Sequence, residues 1–131
     1  MTPESARYLE KAADCLKNAR AELAINLNND AGRNSYLAAL HAAQALIFER
    51  TGRVAKTHGG VHREFARLAK SESGLDKQLP IFLTAAYNLK SVADYETGPG
   101  SIVPPERATS AAEEAQAFVD AIANVLAPDN S

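Results

Sequence analysis

The chain has 131 residues, of which 46% are hydrophobic and 23% charged, and this is enough to build one domain around a single core. A formal net charge of −2 excludes a broadly basic nucleic-acid binder, although it leaves room for a local basic patch. A single cysteine, Cys15, excludes an internal disulfide. No apolar run approaches the ~20 residues of a membrane span, and the first residues do not resemble a secretion signal. We therefore expect one soluble, cytoplasmic domain over residues 1–131, without a membrane partner.

Apolar residues recur at steps of three and four, which predicts helices and no strand. The predicted helices cover residues 2–27, 31–51, 57–72, 76–95 and 105–127. The first begins with Thr2 as N-cap before Pro3, and the second follows a break at 28–32 and stops at Gly52. Because the connections are short, neighbouring helices should be antiparallel. The predicted fold is all-α, an antiparallel up-and-down four-helix bundle with an additional C-terminal helix.

The second helix is apolar nearly all round, with many alanines that would allow close backbone approach. Such a helix is normally buried on several sides. It should therefore lie at the centre of the bundle, form a subunit interface, or do both. A homodimer is one expectation that follows.

A narrow polar stripe interrupts this apolar surface, because Asn34, His41 and Gln44 lie within one sector of the helical wheel. Two interpretations are open. His41 is a core histidine satisfied by an amide neighbour, or the stripe lines a cleft that faces a ligand or partner.

The start of the third helix is a candidate phosphate site. Thr57 can cap the helix, and Gly59 and Gly60 would leave its first N–H groups accessible beside Lys56 and His58. The alternative is that the glycines serve only the turn. His58 and His62 have the i,i+4 spacing of a metal pair, but no third ligand is evident. We expect neither a metal nor a cofactor.

The end of the fourth helix carries Lys90, Asp94 and Tyr95. Carboxylates at a helix C-terminus oppose the macrodipole, and Lys90 before Asp94 is the weaker order for an i,i+4 pair. Helix energetics therefore explain these residues poorly, which makes them weak catalytic candidates. The alternative is that Asp94 caps a neighbouring backbone group. The sequence contains no nucleophile elbow, P-loop or dinucleotide-binding glycine pattern, so an enzyme is not the favoured interpretation.

Three segments resemble the HEPN superfamily of small helical-bundle proteins. They are RNSYLAALHAA at 33–43, KTHGGV at 56–61 and VADY at 92–95. The second and third are similar to the Lys-Thr-His-Ser-Gly motif and the terminal Ala-Asp-Tyr of one branch of the family. The likeness extends over nearly the whole chain and adds Arg33 to the polar residues of the predicted cleft.

The resemblance implies a bundle that often pairs as a homodimer. It also implies a gene neighbour that encodes a minimal nucleotidyltransferase, in a toxin–antitoxin-like module. Many family members are thought to bind RNA or nucleotides. Some are metal-independent ribonucleases, in which an arginine steadies the phosphate charge and a histidine four to six residues later acts as acid or base.

This sequence departs from the ribonuclease motif, because Lys90 stands where the arginine is expected and Asp94-Tyr95 at the acid–base position. Lysine lacks the bidentate grip of arginine on phosphate, and an ionised aspartate is a poor general acid. The favoured hypothesis is a dimeric binding module for a nucleotidyltransferase partner, a nucleotide or an RNA phosphate. The alternatives are a ribonuclease toxin with a degenerate site and a structural bundle without a ligand.

Overall fold

The computed structural model describes residues 1–95 and 97–127, apart from the side chains of Tyr95 and Pro99. Helices α1 (Pro3–Ala24), α2 (Asn28–Thr51), α3 (His58–Ala69), α4 (Gln78–Tyr95) and α5 (Pro105–Leu126) follow one another, with a 3-10 turn at Pro99–Ser101. Within the described residues there is no strand, so the all-α prediction is confirmed. No helix in these residues combines the length and the apolarity that a bilayer crossing requires.

The ends of three helices follow the capping residues that the sequence offers. The hydroxyl of Thr2 accepts a hydrogen bond from the Ser5 N–H at 3.2 Å, and Thr57 Oγ1 accepts one from the Gly60 N–H at 3.0 Å. Helix α2 ends at Gly52, which adopts the left-handed conformation with φ of 70°. The predicted N-caps of α1 and α3 and the stop at Gly52 are confirmed.

The start of α2 differs from the prediction, because residues 28–30 belong to the helix and not to a break. Asn29 Nδ2 donates to the carbonyl of Ser101, and Asn29 Oδ1 accepts from the N–H of Val103, both at 2.8 Å. These tertiary hydrogen bonds hold the first turn in place. Gly32 lies against α4, where a Cβ would stand 3.3 Å from Leu89 Cδ2, so the glycine permits a close approach of the two helices.

Helix α2 is the centre of the molecule, and each of the other four helices packs against it. Its buried residues include Tyr36, Leu46, Ile47 and a series of alanines. The prediction that α2 lies centrally is therefore confirmed, and packing within one chain accounts for its apolarity. Phe65 of α3 and Phe118 of α5 close the core, with ring centroids 5.1 Å apart. Helix α4 packs mainly on α2 and touches α5 little, which leaves a groove between α4 and α5.

Candidate functional site

Two histidines at the start of α3 share one tyrosine hydroxyl from α2. The Tyr36 hydroxyl lies 2.7 Å from His58 Nδ1 and 2.9 Å from His62 Nε2. A phenol has one proton to donate, so it can donate to one imidazole while it accepts from the other. The three side chains therefore form a short hydrogen-bonded chain that joins α2 to α3.

Aromatic packing fixes this group from the side of α4. The Tyr87 ring lies 5.4 Å from the Tyr36 ring and 5.5 Å from each imidazole, measured between centroids. The contacts with Tyr36 and His62 are edge-on, the arrangement that the quadrupoles of aromatic rings favour. Three helices thus hold the group of Tyr36, His58, His62 and Tyr87, which we call the Tyr–His cluster.

Burial changes the acid–base behaviour of this cluster. Burial, together with the nearby Tyr87 hydroxyl, raises the pKa of Tyr36 well above its ordinary value, so the phenol stays protonated. Burial and the neighbouring His58 lower the pKa of His62, so its imidazole is neutral at pH 7. His58 is exposed to solvent. The cluster therefore presents one exposed imidazole, that of His58, which is joined to the half-buried imidazole of His62 through the Tyr36 hydroxyl.

A second group joins α2 to the end of α4. Arg33 donates to Asp94 Oδ1 from Nε at 2.7 Å and approaches the same oxygen with Nη2 at 2.6 Å, and Lys90 Nζ lies 2.9 Å from Asp94 Oδ2. Arg33 also donates from Nη1 to Asp30 at 3.1 Å. One carboxylate thus bridges two cations from different helices. We call Arg33, Lys90 and Asp94 the ion-pair cluster.

The ion-pair cluster keeps Asp94 ionised. Burial alone would raise the pKa of Asp94, but the hydrogen bonds from Lys90 and Arg33 outweigh it, and the pKa is lowered. A carboxylate that is held in this way cannot serve as a general acid near neutral pH. Its role is to hold the cations of Arg33 and Lys90 at one point.

The two clusters are neighbours on the same helices. Arg33 and Tyr36 are three residues apart on α2, and Tyr87 and Lys90 are three residues apart on α4. Residues at this spacing share one face of a helix, about 4.5 Å apart along its axis. The clusters therefore form one continuous site, which we call the α2–α4 site. Of the predicted groups, Lys56–Gly60 contributes His58 to the Tyr–His cluster, and Lys90–Tyr95 contributes Lys90 and Asp94 to the ion-pair cluster.

The first turn of α3 adds positive charge beside His58. Lys56 is exposed, and Arg63 covers the turn, because a Cβ at Gly59 would lie 3.5 Å from Arg63 Nη1. At Gly60 a Cβ would stand 2.9 Å from Thr57 Oγ1, so the glycine lets the capping hydroxyl reach the backbone. Thr57 uses one N–H of the turn, and the turn as a whole presents the positive end of the helix dipole.

The remaining residues of the predicted cleft lie elsewhere. Asn34 Nδ2 donates to Glu22 of α1 at 2.7 Å. His41 Nδ1 lies 2.9 Å from Gln44 Oε1, and Gln44 Nε2 donates to the carbonyl of Ala55 at 3.2 Å. Burial lowers the pKa of His41, which corresponds to the interpretation of a core histidine with an amide neighbour. Of the four predicted cleft residues, the structure brings only Arg33 to the α2–α4 site.

Three residues of the site did not emerge as candidates from the sequence. Tyr36 counted only as one residue of the apolar second helix, Tyr87 was not singled out, and His62 was considered only as half of an incomplete metal pair. One available signal was the phenol itself, because a tyrosine on a wholly buried helix needs a partner for its hydroxyl. The side chain of Tyr95, a predicted site residue, lies outside the described part of the chain. No cluster of three or more His, Cys, Asp or Glu side chains suited to a metal occurs in that part.

Comparison with known proteins identifies the class. The sequence model of the HEPN domain matches residues 5–126, and the chain therefore belongs to the HEPN domain family.

One protein sequence and one solved structure are similar to this chain. The chain is 31% identical over 118 residues to a protein of Methanocaldococcus jannaschii named "Putative toxin MJ0605", and the match covers 90% of this chain and 85% of that one. The fold is similar to the crystal structure of TT1696 from Thermus thermophilus, with a TM-score of 0.80 and 20% sequence identity. That match covers 95% of this chain and 100% of the other.

Proposed function

We propose that this protein is the HEPN component of a toxin–antitoxin-like module and that the α2–α4 site binds a phosphate group of a nucleotide or an RNA. The name of the archaeal relative supports the first part. The resemblance to HEPN proteins supports a homodimer and a minimal nucleotidyltransferase as protein partners. The proposal places the protein in the cytoplasm, where nucleotides and RNA are available.

The convergence of Arg33 and Lys90 on Asp94 is the observation that carries the phosphate proposal. The two cations come from different helices, and Arg33 lies one turn along α2 from Tyr36, whose hydroxyl contacts the exposed His58. An arginine fork with a neighbouring ammonium group suits a tetrahedral anion with several oxygens. The positive end of α3, with Lys56 and Arg63 nearby, would attract a second phosphate of a nucleotide or the next phosphate along an RNA strand.

Asp94 would compete with this ligand. Its carboxylate already uses the donors of Arg33 and Lys90. A phosphate would have to displace it or share the cations with it. Binding would therefore be reversible, and a ligand with several phosphates would be favoured over inorganic phosphate.

Binding without cleavage is our preferred assignment. The ionised Asp94 does not supply a proton, and Lys90 gives a point charge where a ribonuclease of this family would have an arginine.

A ribonuclease is the second candidate, and it is favoured by His58 and His62, which both hydrogen-bond to the Tyr36 hydroxyl. One imidazole would take the proton of the RNA 2′-hydroxyl as its oxygen bonds to phosphorus. The other would protonate the departing 5′-oxygen, and a 2′,3′-cyclic phosphate would result.

A binding titration tests the proposal. Fluorescently labelled ATP and a short labelled RNA are titrated with the wild-type protein and with Arg33→Ala, and Arg20→Ala is the matched control. Arg20 lies exposed on α1 and bonds to Gln116, away from the site. We expect Arg33→Ala to weaken binding at least tenfold and Arg20→Ala to change it less than twofold. If neither probe binds the wild-type protein at micromolar concentration, or both variants behave alike, the phosphate proposal fails.

The same samples separate the two candidates. Incubation with a tRNA pool shows whether RNA is cut. If the wild-type protein cuts RNA and His58→Ala does not, the ribonuclease assignment replaces that of a binding module. The protein-partner part is tested by co-expression with the product of the adjacent reading frame. Co-purification of a nucleotidyltransferase supports it, and separation of the two proteins contradicts it.

A further inference from the structure

A hollow of about 480 Å³ lies between the end of α3 and the start of α4, and we call it the α3–α4 hollow. It is lined by Ala66, Ala69, Lys70, Lys77 and Pro80. These residues include no large apolar side chain that would fill the space between the two helices. The volume falls within the range of about 300–1,000 Å³ that is usual for small-molecule pockets.

The floor of the hollow is aliphatic. Ala66, Ala69 and Pro80 are partly exposed, so apolar surface is in contact with solvent there. The methylene stems of the two lysines can add to this surface, because a lysine stem lies along apolar neighbours while its ammonium group stays in water. None of the five lining residues is aromatic, so a flat ring would find no partner for stacking. The floor therefore suits an alkyl chain better than an aromatic ring.

The charge of the lining is entirely positive. Lys70 directly follows α3, Lys77 directly precedes α4, and both are exposed. The acids of the connection between the two helices have other partners. Glu72 pairs with an arginine of α2, and Asp76 Oδ1 accepts a hydrogen bond from the N–H of the first residue of α4 at 2.7 Å. The lining thus combines two cations with apolar surface and contains no carboxylate.

Helix energetics explain one of these lysines and not the other. Lys70 follows the C-terminus of α3, where the macrodipole favours a cation. Lys77 stands at the N-terminus of α4, where the macrodipole disfavours a cation, and the first turn of α4 contains no acid. The position of Lys77 therefore indicates another use of its charge, and the adjoining hollow offers one.

We propose that the α3–α4 hollow binds an alkyl carboxylate, with its chain on the alanines and the proline and its carboxylate between Lys70 and Lys77. Burial of the chain removes apolar surface from water. A carboxylate has two oxygens, so each of the two ammonium groups can donate to one of them. Lysine is a point charge on a flexible stem, and no fixed fork geometry is required. The hollow shares no residue with the α2–α4 site, so the protein would bind this ligand and a phosphate independently.

Octanoate is the probe, because it combines an alkyl chain with one carboxylate. NMR spectra of the backbone amides of the full chain follow the titration. We expect saturable shifts at Ala66, Ala69, Lys70 and Lys77, with a dissociation constant on the order of 1 mM. 1-Octanol has the same chain without the charge and should bind about tenfold more weakly, since it lacks both ion pairs. Acetate has the charge without the chain and should give no saturable shift.

Variants of the lining test the two lysines and the hollow separately. Lys70→Gln and Lys77→Gln should each weaken octanoate binding about threefold, and the double variant about tenfold, as exposed ion pairs allow. Lys17→Gln is the matched control, because Lys17 is exposed on α1 and the lining comes from other parts of the chain. It should leave the affinity unchanged. Ala66→Leu keeps both charges but fills the hollow, and it should abolish the saturable shifts.

The outcomes that overturn the proposal are distinct from those that would overturn phosphate binding. The proposal fails if octanoate gives no saturable shift at ten times the expected dissociation constant, or if the shifts lie away from the hollow. It also fails if 1-octanol binds as well as octanoate, or if the double lysine variant binds like the wild type. Circular dichroism verifies the helix content of each variant, and if Ala66→Leu does not fold, the lysine variants decide. Phosphate binding is measured with labelled ATP and Arg33→Ala, so either proposal can fail alone.

Discussion

Arg33 and Asp94 lie 61 positions apart in the sequence, yet Arg33 Nε donates to Asp94 Oδ1 at 2.7 Å. This hydrogen bond joins the start of α2 to the end of α4. It also explains why a carboxylate stands at a helix C-terminus where the macrodipole opposes it: the cations of Arg33 and Lys90 stabilise it there. The residue that local helix energetics could not explain is thus explained by a long-range partner.

Asp94→Asn should strengthen the binding of phosphates. The amide removes the negative charge that Arg33 and Lys90 share, so a ligand no longer has to compete with it. We expect the affinity for ATP to rise several-fold, up to about tenfold, which corresponds to ~1.4 kcal/mol. Isothermal titration with ATP measures the change. Asp30→Asn is the graded comparison: Asp30 is more exposed and touches Arg33 at 3.1 Å without touching Lys90, so its removal should raise the affinity less. Unchanged or weaker binding by Asp94→Asn would argue against a competing carboxylate.

Tyr36→Phe should destabilise the fold because it removes hydrogen bonds, while the packing of the ring stays intact. The change removes the hydroxyl that His58 and His62 share and keeps the buried ring. We expect a loss of about 1–2 kcal/mol in the free energy of unfolding, because the half-buried His62 loses its partner while the exposed His58 can turn to water. Urea denaturation measures this change in the free energy of unfolding. Tyr87→Phe keeps its ring contacts and should cost less than about 0.5 kcal/mol. If the two variants lose the same free energy of unfolding, the shared Tyr36 hydroxyl adds no more stability than the Tyr87 hydroxyl does.

The stability of the protein should decrease as the pH falls below about 6.5. The pKa values of His41 and His62 are lowered in the folded state, chiefly by burial. In the unfolded chain these histidines take up protons near pH 6.5, while the folded protein resists protonation, so acid favours unfolding. Above this pH their contribution is fully present. Urea denaturation between pH 8 and pH 5 tests the trend, and His62→Gln should reduce its slope. Constant stability over the whole range would contradict the assignment of two half-buried, neutral histidines.

Glu49→Gln should loosen the start of α1. The Glu49 carboxylate accepts hydrogen bonds from the Thr2 N–H at 2.9 Å and from Ser5 Oγ at 3.0 Å, and so fastens the first turn of α1 to the end of α2. These hydrogen bonds lower the pKa of Glu49. We expect a loss of about 1–2 kcal/mol, since a charged acceptor of several bonds is replaced by a neutral one. Thermal unfolding should show a lower Tm, whereas Glu4→Gln on the exposed side of α1 should leave it unchanged. A normal Tm for Glu49→Gln would mean that water replaces these bonds without cost.

The helical architecture was predictable because each helix follows from local signals. The spacing of apolar residues, Thr57 as a cap and Gly52 as a stop all act within a few residues of the helix ends. The start of α2 was not predictable in this way. Asn28 and Asn29 are weak helix formers, and the bonds of Asn29 to Ser101 and Val103 hold them in the helix.

The site was predictable in part, for a similar reason. His58 and Asp94 were found because the local pattern around each was unusual. Their partners Tyr36 and Arg33 come from α2, and nothing in the local sequence states which residue faces them across the bundle. The stripe of Asn34, His41 and Gln44 did not form one site, because its members have different partners. Asn34 bonds to α1, His41 bonds to Gln44 within the stripe, and Gln44 bonds to the connector at Ala55.

The central position of α2 has a consequence for how the protein unfolds. Since every other helix packs on it, no partial structure without α2 keeps a core, and unfolding should be cooperative. The backbone amides of its middle, around Ala42 and Leu46, should exchange with solvent only through global opening. Those near Tyr87 on the less enclosed α4 should exchange earlier. Tyr36 of the α2–α4 site should therefore lie on the helix whose amides exchange most slowly. Tyr87 and Lys90 should lie on a helix that opens locally before the rest of the molecule.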